Sequence, residues 1–276
     1  MSQSAFKTMY RSEQIAAFEK KQSVFSMTTV QEVMSEGNSC VFLVAGSGGV
    51  GATTRGLNGK IVYNPLDLNQ YTCTLEEKHA PFEMTGFNIF SSQGNLRKAM
   101  QDGSVAVINR ERDNLIRNAL SAATVTTGAA ATADLPMVNK CKTKIRNAKV
   151  GADVKLWAAI SPAYYNYLTL LAQFTSADYI QDKRFEGINK DMAFTWNGVN
   201  WFVDSELEGV GTASCTCFMY AETAIGSAAN SATMNIEMDY DNKQNSSWSR
   251  ASVFMGAKLL QNAGVVKMIH NDSAYS

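Results

Sequence analysis

The sequence is short of charge, of histidine and of long apolar runs. Charged residues make up 18 % of its 276 residues, below the roughly 25 % usual in soluble domains. Acidic and basic residues balance at 25 each, so the formal net charge at pH 7 is zero. A neutral chain is a poor candidate for wrapping nucleic acid electrostatically, and it lacks the repulsion that keeps monomers apart. This composition permits a subunit whose faces are covered by neighbours.

Membrane and secretion signals are also missing from the sequence. No stretch reaches the roughly 18 consecutive apolar residues of a membrane span, so no membrane partner is expected. The first ten residues are polar where a signal peptide requires an apolar run. The five cysteines are scattered and contain no CxxC pair, which indicates reduced thiols in a cytosolic chain. Of Cys215 and Cys217 we expect one in the core and one on the surface, which argues against a shared metal.

Residues that perform chemistry are few. His79 and His270 are the two histidines. Neither has the HxH or HxxxH neighbour that a metal site would use, and no GxSxG nucleophile elbow is present. His79, beside two glutamates, is interpreted as a solvated residue. We therefore expect no catalytic residue, no metal and no cofactor.

One glycine-rich segment, residues 46–53, invites a nucleotide-binding interpretation. It fits GxGxxG and, except that Ala52 replaces the lysine, the phosphate-binding loop GxxxxGK[ST]. Both motifs need a helix to start at the last glycines, because its N-terminus holds the phosphate. Residues 55–59 resist helix formation. A mobile hairpin tip is the favoured interpretation, and a nucleotide-binding α/β enzyme stays as an alternative.

The order of predicted elements begins with a helix at residues 10–22 and β character at 24–33. Strand-like segments at 40–45 and about 70–78 flank the glycines and predict a long projecting hairpin. Residues 82–90 are predicted as a strand. A helical region follows, which is broken at Asp102 and Gly103, capped again at Ser104 and ended near Ala122.

An Ala/Thr-rich linker, residues 119–134, separates this part from an α/β layer. One helix is predicted to open at Pro136, with Asp134 or Leu135 at its cap, and another at Ser161 and Pro162. Further elements are predicted as strands at 155–160, 193–204, 215–220, 233–240, 248–256 and 264–270, and as a short helix at 221–229.

Several local phrases carry a family resemblance. They are YRSE (10–13), FEKKQS (18–23), TRGLNG (54–59), TGFNIFSSQGN (85–95), FTSADY (174–179), GVNW (198–201) and SRASVFMGAKLLQN (249–262). In order and spacing they resemble the major capsid proteins of tailed bacteriophages that have the Hong Kong 97 fold. The resemblance extends over about residues 5–275.

The resemblance implies an α+β fold with four parts. Residues 1–38 would be an N-terminal arm and residues 39–80 an extended hairpin, the E-loop, lying across a neighbouring subunit. Residues 81–125 and 233–276 would form a peripheral domain with a long spine helix. Residues 126–232 would form an axial domain.

The resemblance also implies a function in assembly and a set of contact residues. Hexamers and pentamers of the chain would form an icosahedral head around double-stranded DNA, assembled in the bacterial cytoplasm with portal and scaffolding proteins and a decoration protein. The expected E-loop contacts are Gly46, Gly48, Gly49, Gly51, Arg55, Asn58 and Lys60. The expected arm contacts are Phe6, Tyr10, Arg11 and Phe18, and the inner-face DNA contacts are Arg97, Lys98, Arg110 and Arg117. An encapsulin-like compartment shell is a second alternative.

Overall fold

A computed structural model describes residues 23–34, 36–55, 57, 59, 61, 63–91, 96–175, 180–181, 192–230 and 235–275. The predicted helix at 10–22 and the four arm contacts lie outside this range, as do Asn58 and Lys60.

The described residues form thirteen strands and five α-helices. The strands are β1 Val30–Val33, β2 Ser39–Gly46, β3 Asp67–Thr74, β4 Glu76–Thr85, β5 Leu156–Ile160, β6 Ile180–Gln181, β7 Ala193–Trp196, β8 Val199–Val203, β9 Cys215–Ala221, β10 Ile225–Ala229, β11 Asn235–Asp241, β12 Ser246–Leu259 and β13 Val265–His270. The α-helices are α1 Gly86–Ser91, α2 Leu96–Ser121, α3 Leu135–Asn147, α4 Pro162–Thr169 and α5 Ala172–Thr175. The mixture confirms the α+β class.

The long strand β12 organises a five-stranded sheet. It pairs with β10 and β11 through different parts of its length and with β4 along its other side, while β1 joins β10 in parallel. Helix α2 packs on β12 and β4, where Ile108, Ala251 and Val253 form a buried cluster. Strands β2 and β3 form a separate two-stranded hairpin.

A six-stranded sheet in the order β13-β9-β5-β8-β7-β6 contains the main core. Strand β5 is buried along its whole length, as expected for a central strand covered on both faces. Helices α3 and α4 begin where predicted: the side chains of Asp134 and Ser161 accept the N–H groups of Met137 and Tyr164 at 2.8 and 3.1 Å. These bonds satisfy N–H groups that have no partner inside the helix.

Four secondary-structure predictions are wrong. The β character predicted at 24–33 begins only at Val30, since Phe25–Thr28 form a 3₁₀ turn. Helix α2 continues through Asp102 and Gly103, and Ser104 is a fully buried residue inside it, because packing on the sheet overrides the local helix breaker. The strand predicted at 82–90 ends at Thr85, where α1 begins. The helix predicted at 221–229 is a short 3₁₀ turn followed by β10, since pairing with β1 and β12 outweighs the helix propensity of alanine.

The expectation for the two neighbouring thiols is also wrong. Cys215 and Cys217 are both fully buried. Residues two apart in a strand point to the same face, so β9 places both thiols in the core.

Sheet membership differs from the predicted domain boundaries at three strands. Strand β1 falls in the predicted arm but pairs with β10 in the five-stranded sheet. Strand β10 falls in the predicted axial segment but lies in the five-stranded sheet, and β13 falls in the predicted peripheral segment but pairs with β9. The chain therefore crosses between the two sheets more often than a linear division implies.

Candidate assembly surface

The hairpin formed by β2 and β3 has one face packed on its own subunit. The strands pair antiparallel with Cys40 opposite Cys73 and Phe42 opposite Tyr71. Residues directly opposite each other share a face. Phe42 and Cys73 are buried in a cluster with Ala228, which lies on β10. The root of the hairpin is thus fixed to the five-stranded sheet.

Two glycines allow this close approach. A Cβ atom at Gly226 would lie 2.8 Å from the Phe42 ring, and one at Gly256 would lie 2.4 Å from the Thr74 carbonyl oxygen. Both separations are below van der Waals contact, so a side chain at either position would push the hairpin away. Glycines on β10 and β12 therefore determine where the hairpin is seated.

The opposite face of the same hairpin is apolar and uncovered. Val41, Leu43 and Leu68 are 53 %, 58 % and 52 % exposed, and they alternate with the packed residues as a strand requires. Apolar side chains continue into the turn region. Val50, Leu57, Ile61, Tyr63 and Leu66 are all exposed there. An apolar stripe of this extent on one projecting element is typical of an interaction surface.

The glycine-rich tip makes few contacts with its own subunit. Gly48 and Gly49 have positive φ values of 62° and 73°, which favour glycine. A Cβ atom at Gly49 or Gly51 would meet no other atom within 4 Å. Gly46 and Arg55 are exposed too. The described tip residues predicted from the sequence therefore lie on the surface and in one loop.

The nucleotide-binding alternative lacks its helix. Residues 51–55 are neither helix nor strand, so no helix N-terminus follows the glycines to hold a phosphate. Among the described residues, no group of three histidine, cysteine or acidic side chains could hold a metal ion. No described helix has the length and apolarity needed to cross a membrane.

The residues predicted to contact DNA all lie on α2, but their side chains differ in exposure. Lys98 is exposed and Arg110 is half-buried. The position of Arg97 is on the same helix, but its side chain is outside the described set.

Arg117 is 7 % exposed and donates hydrogen bonds to Asp204 and Glu206, both at 2.8 Å. Burial of the guanidinium group opposes its charge, but the bonds to Glu206 and Asp204 outweigh burial, so the pKa of Arg117 is raised. The prediction of a DNA contact is therefore wrong for Arg117, which forms an internal ion pair.

The two histidines have structural partners. His79 is 39 % exposed at its side chain and contacts Ser252 and Glu77, both at 2.8 Å. His270 is fully buried beside Asp272, and the Ser161 hydroxyl donates to the same carboxylate at 2.9 Å. Because the serine donates to the aspartate and not to the histidine, these three residues do not have the arrangement of a nucleophilic triad.

The motifs in the sequence indicate the glycine-rich tip and do not single out Val41, Leu43 and Leu68. A signal for them was present. Residues 40–45 of β2 are apolar in both alternating columns, yet a two-stranded hairpin can place only one column against its own subunit. The second column must then face solvent or another molecule.

Comparison with known proteins decides the family. The model of a phage capsid protein family matches residues 3–272. The chain belongs to the phage capsid protein family. As a capsid protein it is a structural component of a shell and of the virion. No match is found among curated proteins.

Solved structures similar to this capsid protein span its whole length. A Mycobacterium phage Che8 chain is 16 % identical, with a TM-score of 0.73 and coverage of 97 % of this chain and 98 % of that one. The capsid of Ralstonia phage GP4 is 11 % identical, with a TM-score of 0.72 and coverage of 97 % and 96 %. The capsid of a native GTA particle is 11 % identical, with a TM-score of 0.69 and the same coverages. These likenesses establish the Hong Kong 97 type of fold and do not favour an encapsulin-like shell.

Proposed function

We propose that this major capsid protein assembles as hexamers and pentamers into an icosahedral head around double-stranded DNA, with no enzymatic activity of its own. The uncovered face of the β2–β3 hairpin binds the neighbouring subunit. We propose that residues 1–38 are the arm, 39–80 the E-loop, 81–125 and 233–276 the peripheral domain, and 126–232 the axial domain, with the exceptions that β10 joins the five-stranded sheet and β13 the six-stranded sheet.

The observation that carries the proposal is the two-faced hairpin. One face is seated on the subunit by Phe42 and Cys73, while the other exposes Val41, Leu43 and Leu68. Covering such side chains contributes about 25 cal/mol per Å² of apolar area. A shell sums this modest contribution over many identical contacts, so each contact can remain weak enough to correct errors.

We also propose that this capsid protein has the other partners of a phage head. A head needs a portal, a scaffolding protein and room for a decoration protein, and assembly takes place in the host cytoplasm. The charge-neutral chain supplies little attraction for DNA, so we infer that packaging is driven by a separate motor. Arg97, Lys98 and Arg110 remain the candidate inner-face contacts.

Deletion of residues 46–59 tests the tip. The core lies outside this loop, so the variant is expected to have the same midpoint of thermal unfolding as the unmodified chain. It is expected to give no closed shells in negative-stain micrographs. Normal particles from this variant would contradict the proposal.

Substitution on the strands separates the exposed face from the tip. The triple variant Val41→Ser, Leu43→Ser, Leu68→Ser removes the apolar side chains that the two strands contribute to the stripe and leaves the packed face intact. We expect it to remain folded and to lose closed shells, whereas the control Thr72→Ser, at an exposed position on the same face, assembles normally. Equal particle yields from the triple variant and the control would contradict the hairpin's proposed role.

A further inference from the structure

Two of the five cysteines lie directly opposite each other at the root of the β2–β3 hairpin. Cys40 of β2 is the register partner of Cys73 of β3. Residues directly opposite in an antiparallel pair share a face, and both side chains pack into the cluster that contains Phe42 and Ala228. Both thiols are free. The hairpin therefore places two thiols side by side on its packed face.

The backbone spacing at this pair suits a disulfide. The N–H of Leu75 donates to the carbonyl of Asn38 at 2.9 Å. Hydrogen-bonded pairs recur at every second position of an antiparallel ladder, so Cys40 and Cys73 form such a pair too, with Cα atoms about 5.5 Å apart. Cysteines joined by a disulfide have Cα atoms most often about 5.5–6 Å apart. The ladder thus holds the two residues at the separation that the bond requires.

The two thiols also influence each other electrostatically. Burial raises the pKa of Cys73, and the nearby Cys40 raises it further, as expected where two thiolates would repel. A Cβ atom at Gly256 would lie 2.9 Å from Cys73 Sγ, so the missing side chain of this glycine gives the thiol room beside β12. Cys40 and Cys73 are therefore a close pair of thiols and not two isolated cysteines.

The two thiols differ in their access to solvent. Cys40 is half-buried, whereas Cys73 is 1 % exposed. A small oxidant dissolved in water therefore reaches Cys40 first, and Cys73 is positioned to react with the oxidised neighbour. An accessible thiol beside a second, resolving thiol is the arrangement that yields a disulfide on oxidation. The remaining cysteines, Cys141, Cys215 and Cys217, are fully buried in the main core.

We propose that Cys40 and Cys73 form a reversible disulfide when the protein meets a peroxide outside a reducing cytosol, and that this bond holds the two strands of the hairpin together at their root. Thiols stay reduced in a cytosol, while disulfides persist at virion surfaces. The inference goes beyond the proposed function, since the bond lies within one chain and does not depend on the geometry of a shell.

The oxidation proceeds in two displacement steps. The Cys40 thiolate attacks one oxygen of hydrogen peroxide, so that an S–O bond forms, the O–O bond breaks and hydroxide leaves. The Cys73 thiolate then attacks the Cys40 sulfur, so that the S–S bond forms, the S–O bond breaks and a second hydroxide leaves. The two hydroxides take up the two thiol protons. Two thiols and one peroxide thus give one disulfide and two waters, with two electrons passing from sulfur to oxygen.

The bond is expected to form slowly and to break readily. Burial together with Glu32 raises the pKa of Cys40, so little of this thiol is the reactive thiolate at neutral pH. Side chains directly opposite in a ladder have Cβ atoms about 4.5–5.5 Å apart, whereas a relaxed disulfide brings them to about 3.8 Å. Closing this gap strains the bond, and strained disulfides are the ones that mild reductants break.

Cleavage at the hairpin tip detects the bond in the full-length chain. Arg55 is exposed and lies in neither a helix nor a strand, so limited trypsin digestion is expected to cut after it. Cys40 is then the one cysteine of the N-terminal fragment, and the other four lie in the C-terminal fragment. After reduction, desalting and treatment with hydrogen peroxide, we expect the two fragments to run together at the mass of one chain in non-reducing electrophoresis. Dithiothreitol should separate them.

Substitutions identify the two partners. Cys40→Ser and Cys73→Ala should each abolish the joined band, whereas Cys141→Ala should keep it. Separate fragments from the oxidised unmodified chain would overturn the inference, and so would a joined band from Cys73→Ala, because another thiol would then be the partner. Mass spectrometry of peptides from the unmodified chain locates the bond independently of whether the variants fold.

Thermal unfolding tests whether the bond holds the hairpin. A disulfide restricts the unfolded chain, so we expect oxidation to raise the unfolding midpoint of the unmodified chain by about 5 °C, and dithiothreitol to reverse the rise. Cys40→Ser, treated identically, controls for oxidation of methionines and should not gain stability. Equal midpoints for the oxidised and reduced unmodified chain would overturn the stabilising role. These measurements use the unassembled chain, so a failure to form shells contradicts the proposed function alone.

Discussion

Arg117 of α2 donates to the carboxylate of Asp204 at 2.8 Å. Asp204 directly follows β8 of the six-stranded sheet, so this buried ion pair connects the long helix to the other sheet. The Asp204 side chain is fully buried and forms an ion pair with Arg117. A helix residue that sequence analysis placed against DNA instead holds the two sheets together.

Replacing Arg117 by alanine is expected to destabilise the chain by about 3–5 kcal/mol, because the Asp204 carboxylate would stay buried without the guanidinium group that pairs with it. Denaturant unfolding of the unassembled chain measures the change. Lys98→Ala removes an exposed positive charge from the same helix and should change the free energy of unfolding by about 0.5 kcal/mol at most. Similar values for both variants would mean that the pair contributes nothing specific.

Phe25 anchors the start of the described chain. Its ring lies edge-on to Phe202 with centroids 4.9 Å apart, and it is fully buried. We expect Phe25→Ala to cost about 3–5 kcal/mol through the cavity that it leaves. Phe87→Ala, at a residue that is 74 % exposed, is the matched control and should have little effect on the melting temperature. A stable Phe25→Ala variant would show that the segment is not held at this position.

Gly256→Ala tests how tightly the hairpin root is seated. The added methyl group would lie 2.4 Å from the Thr74 carbonyl oxygen, so we expect a loss of about 1–3 kcal/mol. Faster protease cleavage within residues 46–66 should accompany it. Gly51→Ala, where a Cβ atom has no neighbour within 4 Å, should leave both measurements unchanged.

The cysteines should differ sharply in reactivity, because the thiolate is the reactive form. Burial raises the pKa of Cys141 to about 12, and burial, together with the nearby Cys40, raises the pKa of Cys73. A raised pKa lowers the thiolate fraction at any given pH. Partial burial, together with Glu32, raises the pKa of Cys40 as well, so access decides the order. We expect iodoacetamide at pH 8 to modify Cys40 first, since it is half-buried while the other four are buried. Its rate should rise about tenfold per pH unit below its pKa.

Mass spectrometry of native and denatured protein provides the measurement. All five thiols should react after denaturation, and one of them in the native unassembled chain. Rapid native labelling of Cys141 or Cys217 would contradict the packed core around α3 and β9.

The hairpin was predictable from sequence because its signals are local. A run of apolar residues, a cluster of glycines and a second strand-like segment define it without reference to other parts of the chain. The caps at Asp134 and Ser161 were predictable for the same reason, as each cap bond spans three residues.

The β10 segment was not predictable in this way. Its residues, IGSAA, carry no strong strand preference, and their conformation is decided by pairing with Val30–Val33 and with the end of β12. The burial of the Arg117 side chain was also not predictable, because it depends on a distant residue. Nothing near it in sequence indicates that Asp204, 87 residues away, accepts its hydrogen bond.

The sequence by itself determined the class of protein, the projecting hairpin and the low charge that permits repeated self-association. Only the tertiary structure decided which face of the hairpin is seated and which is free, that Arg117 is internal, and that β10 lies in the five-stranded sheet. The local sequence pattern indicates which secondary structure each segment tends to form. Burial and pairing depend on contacts between residues distant in the chain, and those contacts decide which surfaces remain for a neighbour.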